Sequence, residues 1–305
     1  MSPVEHQLPE RKSAEDSVDT KVDVKELPWP AIAWFGILLI VAYFPILKHL
    51  VEQWASDPDV GHGFFVPIVF AYIVWGRREK LMTLEWKPEW WGIALMAWGF
   101  LQAYIGMLGA ELFLQRTAFL ISLVGLLLVL GGRALVRELA FPLALLLFMI
   151  PIPTVIYNQI TFPLQLFASW VAEILLGLIN IPVLREGNVL ELASQKLSVA
   201  EACSGIRSLM SLTFLSLVYA YFFDNKVWMR WALFLSVIPI AIIANAGRVT
   251  ITGILSEHNT ELAQGVFHEM EGFVIFAIGF AMIFVLHMLI NWIYRWKMAR
   301  EASVV

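Results

Sequence analysis

Leu112–Gly131 reads LFLQRTAFLISLVGLLLVLG: twenty residues carrying one charge, Arg116, close to the start. A helix rises about 1.5 Å per residue, so this stretch is about 30 Å long, the thickness of a bilayer's hydrocarbon core. It predicts a membrane-spanning helix. Comparable apolar runs fill most of the chain. Hydrophobic residues make up 59% and charged residues 15%, where a soluble domain carries about 25% charge. The ~10-residue segments of alternating polarity that mark a transmembrane barrel are absent. The expected fold class is all-α: a polytopic membrane helical bundle of about eight transmembrane helices.

The expected spans are Ala31–Leu50, a short one from His62 to Trp75, Trp90–Gly109, Leu112–Gly131, Leu139–Ile152, Ser204–Phe223, Trp228–Ala246 and Gly272–Tyr294. Residues 160–180 are apolar, but Gln165, Ser169 and Glu173 recur every four residues and draw a polar stripe along one helix face. This stretch is expected to be a re-entrant or interfacial helix. The polar segment after it, Val189 to Val199, reads as a small outer hairpin. An outer loop is expected from Arg248 to Glu271. Residues 1–28, with seven acids and four bases and little apolar periodicity, are expected to be a disordered cytoplasmic tail. Residues 29–298 are then one integral-membrane domain, and 299–305 a cytoplasmic C-terminal tail. The net charge of −4 comes largely from the first tail, and no nucleic-acid partner is expected.

Lys and Arg concentrate on the cytoplasmic side of short loops. With both termini inside and 160–180 not crossing, 15 of the 21 basic residues fall inside. This topology puts three residues of one chemistry at the outer face: Cys203, Arg248 and His268, from three consecutive helices.

Cys203 is the sole cysteine, in Glu201-Ala202-Cys203-Ser204-Gly205-Ile206-Arg207. One cysteine excludes an intramolecular disulfide and a multi-cysteine metal site. A thiol becomes a nucleophile as its thiolate. Cys203 precedes a helix start, whose partial positive charge favours an anion, and Arg207 follows one turn later. A lone cysteine in a membrane protein is otherwise a small buried hydrophobe, but Glu201, Ser204 and Arg207 make polar company. Arg248 closes a long apolar run, in Asn245-Ala246-Gly247-Arg248. It suits stabilisation of an oxyanion; the plainer reading is a snorkelling helix end. A histidine near the thiol is the natural acid or base. Spacing alone does not choose among His62, His258 and His268. The same histidines with Glu269 or Glu271 make a weaker metal-site reading, since no His-x-x-x-His pair exists. His287 lies roughly 28 Å further along a continuous helix than His268 and cannot share the site.

These residues resemble a known family. Glu201–Leu209 looks like the cysteine motif of the exosortase/archaeosortase family, Asn245-Ala246-Gly247-Arg248-Val249 is similar to its arginine motif, and Gly265–Gly272 resembles its histidine motif. Gly61-His62-Gly63-Phe64 also looks like a family feature. The resemblance implies a multi-pass enzyme of the bacterial inner membrane, with its active site facing the periplasm. It implies a cysteine endopeptidase/transpeptidase acting on exported proteins that end in a Pro-Glu-Pro motif, one transmembrane helix and a basic tail, in bacteria that make exopolysaccharide and biofilms. It makes Cys203 the nucleophile, Arg248 the transition-state stabiliser and His268 the general acid/base. Arg207, Glu201, Ser204, Asn245, Glu271 and His62 are supporting candidates. Membrane lipids surround the site, and water, an amine or a lipid-linked acceptor would take the acyl group. No cofactor or metal is expected. The rival reading is a non-enzymatic polysaccharide or lipid-linked-sugar transporter or assembly scaffold, which gives the polar stripe a role but none to the Cys/Arg/His set.

Overall fold

The computed structural model describes residues 29–199, 205–258 and 266–302; of these, 29, 205–208, 258, 266–272, 301 and 302 are described by backbone alone. The expected tail over residues 1–28 lies outside the described residues, as do residues 303–305 of the expected C-terminal tail. In chain order the helices are α1 (Trp29–Ala42), α2 (Phe44–Ser56), α3 (Phe65–Gly76), α4 (Arg78–Met82), α5 (Trp91–Leu108), α6 (Leu112–Glu138), α7 (Ala140–Leu145) and α8 (Thr154–Leu178). Strands β1 (Val183–Glu186), β2 (Val189–Leu192) and β3 (Lys196–Ser198) follow, then α9 (Gly205–Phe223), α10 (Val227–His258) and α11 (Val266–Ala302). Short 3₁₀ turns cover Gly61–Phe64 and Leu146–Met149.

The all-α polytopic membrane class is borne out. Five helices are each long and apolar enough to cross a bilayer: α5, α6, α8, α10 and α11. The pair α1 and α2 makes a sixth if taken as one span, but it bends by 74°. The expected span Ala31–Leu50 is therefore broken within its length. Pro45 opens α2 and cannot continue the hydrogen-bond ladder of α1. Tyr43 at the break is pinned by its hydroxyl, 2.7 Å from Ser122 Oγ and 3.3 Å from Ala118 O on α6. Three further apolar helical stretches, Gly61–Gly76, Ala140–Met149 and Leu209–Phe223, are shorter.

Helices α5 and α6 form a close antiparallel hairpin. Gly92, Gly99 and Gly106 stand seven apart on one face of α5 and are all buried. A Cβ on Gly99 would lie 3.0 Å from Ala118 O and 3.1 Å from Ser122 N, and one on Gly106 3.1 Å from Gln115 N. In lipid, helices have no hydrophobic drive toward one another, so close backbone approach through small residues supplies the attraction.

One end of the bundle is tied by charge. Glu138 accepts from Arg77 Nη1 at 2.8 Å and pairs with Lys80 at 2.7 Å. Arg77 Nε donates to Tyr221 Oη at 2.7 Å, and Arg230 Nε to Asp224 O at 2.8 Å. At the same end Asp224, in the turn between α9 and α10, sits 3.2 Å from His287 Nε2, whose Nδ1 is 2.8 Å from Tyr219 Oη. Burial works against ionisation of Asp224. The Lys226 N–H, His287 and Asn291 outweigh it and hold the carboxyl below its ordinary range.

Residues 160–180 prove to be most of one continuous helix, α8, whose 25 residues satisfy the length and composition of a span. It ends where Asn180 turns to φ 62° and Ile181 N–H returns to Leu176 O at 3.0 Å, a left-handed helix stop. The expected hairpin is larger than predicted: β1, β2 and β3 make a three-stranded antiparallel sheet. Gly187, at φ +65°, supplies the positive φ that the two-residue β1–β2 turn requires.

The polar stripe of α8 holds this sheet. Gln165 Oε1 accepts from Asn188 Nδ2 at 3.0 Å, Ser169 Oγ donates to Gly187 O at 2.9 Å, and Glu173 Oε2 accepts from Arg185 Nε at 2.7 Å. Under the sheet, Leu190, Leu192, Leu197 and Val199 pack with Ala168, Ala172 and Leu176 of α8 and with Ala246 and Val249 of α10. The far edge is tied by Ser194, whose N–H and hydroxyl both reach Glu257 Oε1, and by Gln195 Nε2 donating to Ser256 Oγ at 2.7 Å. An exposed ion pair contributes at most about 1 kcal/mol, whereas removing a fully buried leucine side chain costs roughly 2–5 kcal/mol. The apolar cluster therefore holds the sheet down, and the polar stripe sets its position.

Two outcomes follow. Gly99→Ile should lower the unfolding midpoint in detergent micelles, at about 1–3 kcal/mol for an overpacked contact, while Gly36→Ile, where a Cβ meets nothing within 4 Å, should leave it in place. Leu190→Ala should speed amide hydrogen exchange across β2 and spare α5, with Glu173→Gln having the smaller effect; equal effects would contradict the division between packing and polar positioning.

Candidate active site

The sheet leads into the cysteine segment. Its last described residue, Val199, is fully buried, and its N–H donates to Asn188 O at 2.9 Å. The described chain resumes at Gly205, already helical in α9, and the expected helix start at the cysteine lies outside the described residues. Cys203, Glu201 and Ser204 lie outside the described residues. Arg207 falls in the first turn of α9, where the backbone alone is described.

Arg248 is not at a helix end. Helix α10 continues ten residues past it, to His258, which corrects the expected outer loop from Arg248 to Glu271 and removes the helix-end snorkelling reading. The charge was taken as a boundary because it closes the apolar run, but Thr250, Thr252 and Ser256 continue the helix by returning their hydroxyls to the carbonyls four residues back, at 2.9, 3.0 and 2.7 Å. Arg248 is only 8% exposed. Its neighbours Ala246 and Val249 belong to the cluster that seats Val199. A buried guanidinium thus stands on the turns of α10 whose Ala246 and Val249 pack with Val199, on a different face of the helix from those two residues. Asn245, one turn earlier, is half-buried.

His268 is the third residue of α11 and Glu271 the sixth; for both the backbone alone is described. Helix α11 therefore starts before the histidine rather than at Gly272. His258 is the last residue of α10. His62 takes a separate place, in the 3₁₀ turn before α3, with Nε2 3.1 Å from Phe148 O. Beside it, Trp54 Nε1 donates to Met149 O at 2.9 Å and stacks edge-on against Phe64. His62 serves a corner between α2, α3 and the Leu146–Met149 turn, whereas the neighbours of Arg248 pack under the sheet. His287 lies at the charged end with Asp224 and Tyr219, nineteen residues along α11 from His268. Among the described residues no group of three His, Cys, Asp or Glu side chains is placed to hold a metal ion.

Sequence reasoning saw the stripe Gln165, Ser169, Glu173 but not its partner. The signal was the Gly187-Asn188 pair, a hairpin turn whose polar groups needed an acceptor and a donor at matching spacing. It also took Arg116 only as a charge close to the start of a span, although it is 3% exposed.

The family model of the transmembrane exosortases matches residues 54–285, more than half of the chain, a range that includes Cys203, Arg248 and His268. No curated protein and no solved structure matches significantly. The chain belongs to the transmembrane exosortase family.

Proposed function

We propose that the protein is a membrane-embedded cysteine endopeptidase/transpeptidase of the bacterial inner membrane, which cleaves the C-terminal sorting signal of exported proteins at the periplasmic face. The observation that carries this reading is the seat of the β-sheet. Val199, four residues before the only cysteine, is buried in one cluster with Val249, the residue next to Arg248. Family membership supports the same chemistry.

In this mechanism the Cys203 thiolate attacks the scissile carbonyl. Arg248 stabilises the oxyanion as the C–S bond forms, a role suited to a guanidinium already withdrawn from water. The peptide C–N bond breaks, and His268 gives the leaving amine its proton. The thioester is then resolved by water or by an amine or lipid-linked acceptor, which takes the acyl group and returns the thiolate. The substrates are exported proteins with a Pro-Glu-Pro motif, a transmembrane helix and a basic tail, in exopolysaccharide-producing bacteria. The basic residues gathered at the Arg77–Glu138–Arg230 end support a cytoplasmic assignment for that end and an outward one for the sheet. The rival transporter or scaffold reading drew on the polar stripe of α8, and that stripe is occupied in docking the sheet.

Processing of a co-expressed substrate carrying such a signal tests the assignment. Cys203→Ala and Cys203→Ser should each reduce cleavage by more than about a thousandfold, and Arg248→Gln by roughly a hundredfold or more, with both proteins still inserted and folded. Wild-type processing by Cys203→Ala would end the nucleophile assignment.

A further inference from the structure

A cleft of about 220 Å³ lies against the α5–α6 hairpin, enclosed by helix α2, the end of α5 and the start of α6. Ile46, Met107 and Leu112 give it apolar walls, and His49, Gln115 and Arg116 are its polar lining. Arg116 is the one charged residue in that lining. It is 3% exposed, and its Nη2 is buried with no hydrogen-bond partner among the described residues. Glu111 attracts it electrostatically but makes no ion pair with it among the described residues. Gln115 has already committed its amide to Gly106 O, at 3.0 Å. A buried guanidinium donor left unsatisfied is costly and calls for an acceptor.

We propose that this cleft binds the phosphate of a membrane lipid headgroup, with Arg116 as its principal donor and His49 at the mouth. The guanidinium fork matches phosphate oxygens two at a time. Arg116 stands four residues into α6, about 6 Å along the helix from its start, and an arginine that close to the end of a spanning helix reaches the interface through its long side chain. Adjacent in sequence to the lining residues Pro45 and Met107, Phe44 and Leu108 are 59% and 72% exposed, apolar surface for acyl chains. The cleft has room for a headgroup, while the chains stay outside. The site owes nothing to Cys203 or to the proposed peptidase chemistry, so it stands or falls separately from them.

The test uses the full chain purified in an uncharged maltoside detergent, to which dioleoyl phosphatidic acid, dioleoylglycerol or inorganic phosphate is added in turn. Binding is read by native mass spectrometry and by the shift in unfolding midpoint. Phosphatidic acid should bind one molecule per chain, about tenfold or more tighter than dioleoylglycerol, the scale of one charge-assisted contact. Arg116→Gln should bring phosphatidic acid down to the dioleoylglycerol level, His49→Ala should weaken it less, and Arg133→Gln should leave it unchanged. Equal binding of dioleoylglycerol by the wild type, or undiminished phosphatidic acid binding by Arg116→Gln, overturns the site. Protection by inorganic phosphate at the same concentration overturns the lipid source. Should Arg116→Gln fail to fold, the headgroup comparison on the wild type and on His49→Ala decides the matter.

Discussion

The burial of Leu190, Leu197 and Val199 between α8 and α10 is the contact on which the candidate active site depends. It joins a polar, sheet-forming segment to two long helices, and it does so on the turns of α10 that carry Arg248. Without it, the sheet that precedes the only cysteine would be held to α8 and α10 by side-chain polar contacts alone. The apolar cluster supplies the stabilisation. The three polar contacts from Gln165, Ser169 and Glu173 decide where along α8 the sheet sits, because their four-residue spacing follows the helix repeat.

The opposite end has a different logic. There the helices are joined by shared charges and a buried polar chain: Arg77 and Lys80 on Glu138, Arg230 on the backbone of Asp224, and the Asp224 carboxylate against His287. These contacts tie the ends of α3, α6 and α9 and the start of α10 to one another and to the His287 turn of α11. The glycine face of α5 does the same for α6 through backbone contact. The bundle is thus cross-tied away from the sheet, and the guanidinium of Arg248 is presented from a helix whose other end is anchored.

Much of this was legible in the sequence, and the reasons differ by residue. The apolar run Leu112–Gly131 identifies a membrane helix because bilayer thickness sets its length. The Cys, Arg and His motifs are legible through residue type and order, and they led to the family that residues 54–285 match. Boundaries were harder. Arg248 looked like a helix end because a charge usually ends an apolar run, yet the α10 hydroxyls satisfy themselves within the helix and carry it on to His258. The break at Tyr43 was missed because Pro45 sits inside an unbroken apolar stretch, and the hydroxyl contact that pins the bend comes from 79 residues away. The α8 stripe was visible as a pattern, but its meaning required the sheet, and sheet pairing is non-local. Arg116 was seen only as a charge near a turn; its burial depends on how α2 folds back across the α5–α6 hairpin.

The central claim is that the cysteine and the histidine from the two ends of this arrangement meet beside Arg248. Because Cys203 is the sole cysteine, His268→Cys creates one defined thiol pair. Treatment with bifunctional thiol reagents of graded length, followed by mass spectrometry of the linked peptides, measures their separation directly. The account predicts a link between positions 203 and 268 with the shortest reagents, and none between position 203 and a cysteine placed at His287. A link formed only by spacers longer than side-chain reach, with both thiols individually reactive, would contradict it.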